Sequence, residues 1–475
     1  MNRTVGLLGS VLLMITPTVN AAVSDEEFRE VKDLLQQALA RIERLEAGNA
    51  RTNATVAELA ESNLTTAVAV ATLAKSNEQT TMAVTQIEAE KQSASWPERI
   101  SWSGDFRYRW QNDEIKQRLD SSNQPLEDQT RDRQRIRARA ALIADLTDTI
   151  EVGFGLATGG DDPVSSNQTL GGSGSSKDLK LDLAYFDWTF LENGNLAAGK
   201  FENSFYRPGK NGLIWDRDWR PEGFALRWKS ERFYLQAMGT WLESDTGNSA
   251  SSFSYGGQVG FKPEFGNTRL NLGAGYWLIK SGGENCFDAP GNTGGNGANR
   301  GCFGNTAVDG SGTLVAGGTP ALYVMDYAPV EFYAQAEFGT QLPWSLFADY
   351  VVNIDAKAVP TGPSQGKKLD TGYAFGASVG RDKNARDWLL KLIYQDLDAD
   401  AVLGLLSESD FAGGGTDSKG WVLRGRYMLT DRTNFTLRYF RTERKDSNGV
   451  ENGSSASSNP FDVNTLQLDL NFKYR

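Results

Sequence analysis

The sequence contains no histidine among its 475 residues. Histidine is the usual general base of enzymes, the central member of serine–histidine–aspartate triads and a frequent zinc ligand. Its absence removes these three kinds of site together. We therefore predict that the protein is not an enzyme and that it holds no cofactor and no metal ion.

Cysteine is nearly absent too, since only Cys286 and Cys302 occur. Both lie in a stretch rich in glycine and asparagine, "ENCFDAPGNTGGNGANRGCFGN". In an oxidising compartment such a pair predicts one local disulfide that closes a loop, and the alternative is two free thiols. Two thiols alone are too few ligands for a metal site.

The chain also lacks a surplus of positive charge and a long apolar segment. Its net charge of -11 argues against nucleic acid as a partner. Beyond the N-terminus no run of about 18 apolar residues follows, so we predict no membrane-spanning helix in the mature chain. A membrane barrel stays possible at the low mean hydropathy of -0.44, because half the residues of each barrel strand are polar.

Residues 1–21 have the three parts of a secretory signal peptide. Arg3 supplies the basic start, residues 5–15 form the apolar centre, and residues 19–21 end in a small-residue cleavage site. This segment predicts export to the periplasm or beyond.

Residues 22–95 have the pattern of an α-helical coiled coil. Apolar residues at heptad a and d positions run from Phe28 to Ile87, and from Asn49 the set Asn-Thr-Val-Leu recurs every fourteen residues. Polar layers fix the register of identical helices. A single amphipathic helix lying on a surface is the alternative. The asparagine layers alone favour a dimer, whereas the domain that follows favours a homotrimer, which we predict.

Residues 96–475 consist of segments that alternate apolar and polar side chains. About sixteen such segments, each of roughly ten residues, are joined by connections that are short and long in turn. A soluble sandwich has no reason to sort its loops in this way. We predict an all-β transmembrane barrel of about 16 antiparallel strands, with short turns in the periplasm and long loops outside.

The stretch "RDRQRIRARA" places arginine at five odd positions from 131 to 139, which we call the arginine ladder. A spacing of two puts all five side chains on one face of a strand, and the other face continues as apolar residues that suit lipid. The ladder therefore faces a water-filled lumen, beside the two arginines of the preceding strand. We predict as pore-lining Arg107, Arg109, Arg133, Arg135, Arg137 and Arg139. The alternative is a structural role, in which the ladder pairs with Asp105 and other carboxylates.

Four stretches carry a resemblance to a known family: "RDRQRIRARA", "DDPVSSNQTLGG", "KNGLIWDRDWRPEG" and "SDFAGGGTDSKGW". With them the chain resembles the Gram-negative outer-membrane "putative porin" family, which is related to general diffusion porins. The resemblance implies a trimeric barrel that passes small hydrophilic solutes. In general porins the third outer loop folds inward and narrows the pore.

In this chain the corresponding loop is 202–223. Its charged residues of interest are Lys210, Asp216, Arg217, Asp218 and Arg220. If the loop folds inward, Asp216 or Asp218 faces the arginine ladder and sets up a field across the pore. The alternative is that these aspartates pair with Arg217 and Arg220 within the loop. A second acidic segment, residues 396–410, is predicted to be a solvated outer loop rather than a cation site.

These features predict an outer-membrane porin with weak preference for anions, in contact with outer-membrane lipid and small hydrophilic solutes. Peptidoglycan or other periplasmic envelope components are possible partners of the coiled coil. One alternative is a substrate-specific channel for a phosphate-like anion or a sugar. The other is a structural or adhesive envelope protein that bears a stalk.

Overall fold

The computed structural model describes residues 25–93, 99–120, 122–160, 162–243, 252–286, 301–316, 321–339, 341–452 and 457–474. The predicted signal peptide lies outside the described residues. The chain forms two compact units, residues 1–93 and residues 94–475.

The first unit contains one helix, α1, Asp25–Ser93, of 69 residues. At about 1.5 Å per residue it is roughly 100 Å long. Among the described side chains at apolar heptad positions, Leu45, Leu59 and Leu73 are exposed, at 65%, 58% and 68% accessible. Helices in proteins are stabilised mainly by packing of an apolar face, and these leucines have no such packing within the described part of the chain. In the described part of the chain, no helix is long and apolar enough to cross a membrane.

The second unit is a barrel, and in the described residues sixteen strands form its wall. The first eight are β1 Ile100–Lys116, β2 Gln129–Asp145, β3 Ile150–Thr158, β4 Leu179–Leu191, β5 Gly194–Lys200, β6 Glu222–Lys229, β7 Phe233–Glu243 and β8 Ser252–Phe261. The others are β9 Thr268–Ile279, β10 Pro329–Phe338, β11 Trp344–Asn353, β12 Thr371–Gly380, β13 Trp388–Leu397, β14 Ser418–Met428, β15 Thr433–Arg444 and β16 Phe461–Tyr474. Together they confirm the predicted barrel.

The barrel closes between its first and last strands. β1 and β16 pair antiparallel over thirteen positions, from Gly104 opposite Tyr474 to Lys116 opposite Asp462. Each of the other strands pairs antiparallel with its sequence neighbour, as β1 does with β2. Closure leaves no free sheet edge, which is the condition for a sheet to lie in lipid.

The two faces of each strand differ as the period of two predicts. In β1, Phe106 and Tyr108 point outward and are exposed, whereas Arg107 and Arg109 point inward and are buried. Trp102 and Trp344 are exposed on the outer surface near strand ends, where interfacial aromatic girdles lie. The wall is therefore apolar outside and charged inside.

The long loops pack together and have a hydrophobic core of their own. Leu213, Trp215, Tyr323, Met325 and Leu403 come from three different loops and are all buried in it. This compact arrangement covers part of the lumen with ordered loop residues.

The prediction that residues 396–410 form a solvated loop is wrong. Leu403 and Leu406 belong to the loop core, and Asp400 is fully buried. The Asp400 carboxylate accepts hydrogen bonds from the backbone and side chain of Thr306 and from the Tyr327 hydroxyl. Burial raises the pKa of Asp400 to about 7, although these hydrogen bonds lower it. Asp400 therefore serves packing, because the neighbouring loop supplies its hydrogen-bond partners.

The structure places a disulfide between Cys286 and Cys302. Both cysteines are buried in the loop core. The bond ties the long connection between β9 and β10 to the packed part of the outer loops.

Candidate pore constriction

The arginine ladder lies on β2. The antiparallel pairing of β1 with β2 places the two arginines of β1 beside it. Arg107 is directly opposite Arg137, and Arg109 is directly opposite Arg135. Like charges at directly opposed positions destabilise a sheet. The arrangement therefore requires carboxylates from elsewhere in the lumen. Arg131, at the outer end of the ladder, is exposed.

Carboxylates of the barrel wall compensate part of this charge. Arg109 forms a two-pronged contact with Asp469 of β16, with Nε–Oδ1 at 2.7 Å and Nη2–Oδ2 at 3.0 Å. Arg137 contacts Asp105 at 2.6 Å, and Arg133 pairs with Asp113. Bidentate contacts of this kind are among the strongest polar contacts in proteins. The structural pairing that the sequence left open is therefore present for part of the ladder.

The loop between β5 and β6, residues 201–221, folds into the lumen and reaches the opposite wall. Asn211 Nδ2 donates to Asp349 Oδ2 at 2.8 Å, and Lys391 Nζ donates to the Gly209 carbonyl at 2.7 Å. Gly209 has a φ of 57°, and a Cβ there would lie 2.2 Å from the Phe347 ring. Only glycine allows this close approach of the loop to β11.

The loop brings one aspartate to the arginine ladder. Asp218 Oδ1 lies 3.0 Å from Arg139 Nη2, and Asp218 Oδ2 lies 3.5 Å from Arg137 Nη1. Burial alone would raise the pKa of Asp218, but Arg139 and Arg137 hold that pKa well below its ordinary value. Asp218 therefore carries a full negative charge against the ladder.

Asp216, two residues earlier, is turned away from the arginine ladder and toward the backbone of the loops. Its carboxylate accepts hydrogen bonds from the backbone N–H groups of Ser409 at 2.8 Å and Asp218 at 2.6 Å. Burial and the nearby Glu408 raise the pKa of Asp216 well above its ordinary value. Arg220 contacts Asp182 at 3.4 Å rather than the loop aspartates. Of the two aspartates, the structure thus places only Asp218 against the ladder.

A second loop also enters the lumen, residues 398–417 between β13 and β14. It docks on the first loop, because Asp216 N donates to Leu406 O and Glu408 N donates to Gly212 O. Its Asp410 lies 3.1 Å from Arg109 Nη1 and 3.8 Å from Arg438. No local sequence pattern marks Asp410 for this role, since only the position of the loop inside the lumen reveals it.

A second row of basic side chains, on β13 to β15, was missing from the sequence prediction. Lys391 is directly opposite Arg424, which is directly opposite Arg438. Arg426 also points inward and contacts Asp382 at 2.6 Å. A signal was available, because arginine alternates with apolar residues in "WVLRGRYML" and "NFTLRYFR" as it does in the ladder.

The two loops and the wall enclose a cavity of about 780 Å³. Thirteen lysine and arginine residues of the described chain line it, against six aspartate and glutamate residues. This balance is opposite in sign to the net charge of the whole chain, -11. Within the described residues, no three acidic, cysteine or histidine side chains are grouped as a metal site would need.

Comparison with known proteins gives one family and several solved structures. The family model described as "Putative porin" matches residues 72–281 and 323–474. The high-pH structure of OprB from Pseudomonas putida is 10% identical with a TM-score of 0.47, over 78% of this chain and 94% of that chain. OmpF from Salmonella typhi in complex with daunomycin is 8% identical with a TM-score of 0.44, over 80% and 99%. A triple mutant of the Rhodopseudomonas blastica porin is 9% identical with a TM-score of 0.42, over 79% and 100%. No curated protein matches the chain.

Proposed function

The chain belongs to the family described as "Putative porin" and is a channel of the outer membrane, and from this premise we propose that it passes small hydrophilic solutes with a weak preference for anions. The surplus of basic side chains around the 780 Å³ cavity supports this proposal most directly. Guanidinium groups keep their charge at any physiological pH. A lumen lined in this way raises the local concentration of anions and lowers that of cations.

The preference is weak because carboxylates offset much of the positive charge. Asp105, Asp218 and Asp410 each lie within ion-pair distance of an arginine in the wall. Salt also screens the remaining charge over about 8–10 Å at moderate ionic strength. The channel therefore filters by charge without excluding cations.

The domain plan follows from the same premise. We assign residues 1–21 to a signal peptide, 22–95 to a periplasmic coiled coil and 96–475 to the outer-membrane barrel. β1 begins at the end of the barrel that carries the short turns, which face the periplasm in this class of protein. The exposed heptad seam of α1 supports a homotrimer, with peptidoglycan or another envelope component as a further contact of the helix.

The experiment is the zero-current potential of the purified channel in a planar bilayer across a potassium chloride gradient. We expect the sign that corresponds to chloride passing more readily than potassium, with a larger value at low salt because the fixed charges are then less screened. A potential of the opposite sign would refute the proposed preference.

A further inference from the structure

Several basic side chains that line the cavity have no ion-pair partner among the described residues, and four of them face one another where the inward loop meets the wall. Two of them, Lys210 and Arg217, lie on the inward loop, where both are exposed to the lumen. The other two, Lys391 and Arg424, are directly opposed on β13 and β14. Since Lys391 Nζ binds the carbonyl of Gly209, the neighbour of Lys210, loop and wall meet here with basic groups on both sides.

This part of the cavity differs from the arginine ladder. At the ladder, Asp218 of the loop meets the arginines of the wall. At the second row, the nearby Asp382 is already paired with Arg426 at 2.6 Å. Arg438, the cross-strand neighbour of Arg424 on β15, adds a further positive charge. The carboxylate of Asp410 lies 3.8 Å from Arg438 and offsets this charge only in part. The loop therefore adds positive charge where the wall is already positive.

An uncompensated cluster of this kind costs folding free energy. Directly opposed like charges destabilise a sheet, and the Nε atoms of Arg424 and Arg438 are buried without a hydrogen-bond partner. Buried polar atoms are usually satisfied, so an exception calls for an explanation. A bound anion would supply both the missing charge and the missing acceptors.

We propose that Lys210 and Arg217 of the loop, with Lys391 and Arg424 of the wall, bind a compact solute bearing two negative charges, of the phosphate or phosphate-monoester kind. The planar fork of a guanidinium group matches the oxygen geometry of phosphate, and the lysines add charge without fixing direction. Because the groups come from opposite sides of the lumen, they hold the solute in the permeation path. This site rests on the proposed function, since it requires the cavity to lie on the route of ions.

The test is inhibition of the chloride current of the full-length channel by inorganic phosphate. Potassium chloride is kept constant, and phosphate is added on one side at a pH of about 8, where it carries close to two charges. Nitrate is the comparator with one charge. We expect phosphate to reduce the current in a saturable way and nitrate to leave it nearly unchanged.

Two double variants locate the site. In Lys210→Gln with Arg217→Gln, and in Lys391→Gln with Arg424→Gln, we expect the half-inhibiting phosphate concentration to rise at least about tenfold, because each lost contact to a charged group is worth at least a factor of ten. Arg269→Gln is the matched control, since Arg269 is an exposed arginine that lines neither side of the cavity. It should leave the inhibition unchanged.

Equal effects of phosphate and nitrate on the native channel would overturn the site. An unchanged half-inhibiting phosphate concentration in the loop variant would also overturn the site. If the wall variant does not fold, the loop variant decides the test, because Lys210 and Arg217 are exposed and their replacement should not disturb folding. A channel that prefers chloride in the gradient experiment but ignores phosphate would overturn the site alone. A channel that prefers potassium would overturn the proposed function.

Discussion

Replacing Asp218 by asparagine should make the channel distinctly more selective for anions. Asp218 is a loop carboxylate that faces two arginines of the ladder, at 3.0 Å and 3.5 Å. Asparagine keeps the volume of the side chain and removes its charge. Arg137 would keep its contact with Asp105 at 2.6 Å. Arg139 would keep its hydrogen bond to Ser166 Oγ at 2.6 Å, but its remaining carboxylate partner would be Asp182 at 4.0 Å. The lumen therefore gains one uncompensated positive charge.

The size of the effect follows from Coulomb's law in a water-filled pore. A unit charge about 5 Å from the ion path contributes about 0.8 kcal/mol in water, and screening at 0.1 M salt reduces this to about 0.5 kcal/mol. The change acts on anions and cations with opposite signs. The ratio of their local concentrations should therefore rise about fivefold. At 1 M salt the Debye length falls to about 3 Å, and the rise should be less than about twofold.

The assay is the zero-current potential of native and Asp218→Asn channels in chloride gradients centred on these two salt concentrations. Glu264→Gln is the control, because Glu264 is an exposed carboxylate in a short turn that does not line the cavity. An unchanged selectivity at low salt would refute the reasoning, since Asp218 would then not face the conducting path. A change of equal size at both salts would also refute it, because a fixed charge must be screened.

Four further outcomes are expected. Arg137→Glu with Arg139→Glu should shift the zero-current potential toward cations, most strongly at low salt, and an unchanged potential would make the ladder a purely structural network. Asp216→Asn should change selectivity less than the substitution above, because its carboxylate is turned to a loop backbone and its pKa is raised well above the ordinary value; an equal change would contradict this placement. Cys286→Ser should make the outer loops easier to cleave in limited proteolysis while conductance stays nearly constant, since a closed loop of about 16 residues is worth about 3 kcal/mol of constraint; unchanged proteolysis would contradict it. The native chain should have the mass of three chains in mild detergent, and deletion of residues 22–95 should weaken that assembly while the barrel still folds; a monomeric or dimeric native protein would exclude the trimer.

The barrel could be predicted because its signal is local and repeated. Alternation with a period of two defines each strand, and the parity of loop lengths defines which end faces the periplasm. The same period assigned every ladder arginine to one face, and the hairpin-like pairing of β1 with β2 brought Arg107 and Arg109 beside it, as the register shows. These inferences needed no knowledge of contacts between distant segments.

The inward loops could be predicted only in part, because their contacts join residues far apart in sequence. Asp410 meets Arg109 across a separation of 301 residues, and no local pattern marks that aspartate as a lumen residue. The apolar run of residues 401–406 was a sign of burial that the surrounding acids obscured. In a strand, Asp216 and Asp218 would share a face, but in an irregular loop two residues at this spacing point in different directions.

The charge of the pore is therefore set by where the loops lie as much as by the wall. Arginine occupies alternate positions in both β2 and β14, with five arginines in β2 and two in β14. The loop that crosses the lumen presents Asp218 to the first strand, which becomes a compensated, structurally paired surface. It presents Lys210 and Arg217 toward the second, where Arg426 pairs with Asp382 but Arg424 has no ion-pair partner among the described residues. The loop of 21 residues thus adds a carboxylate beside one group of wall arginines and two cations beside the other, and substitutions in the loop should alter selectivity without altering the barrel.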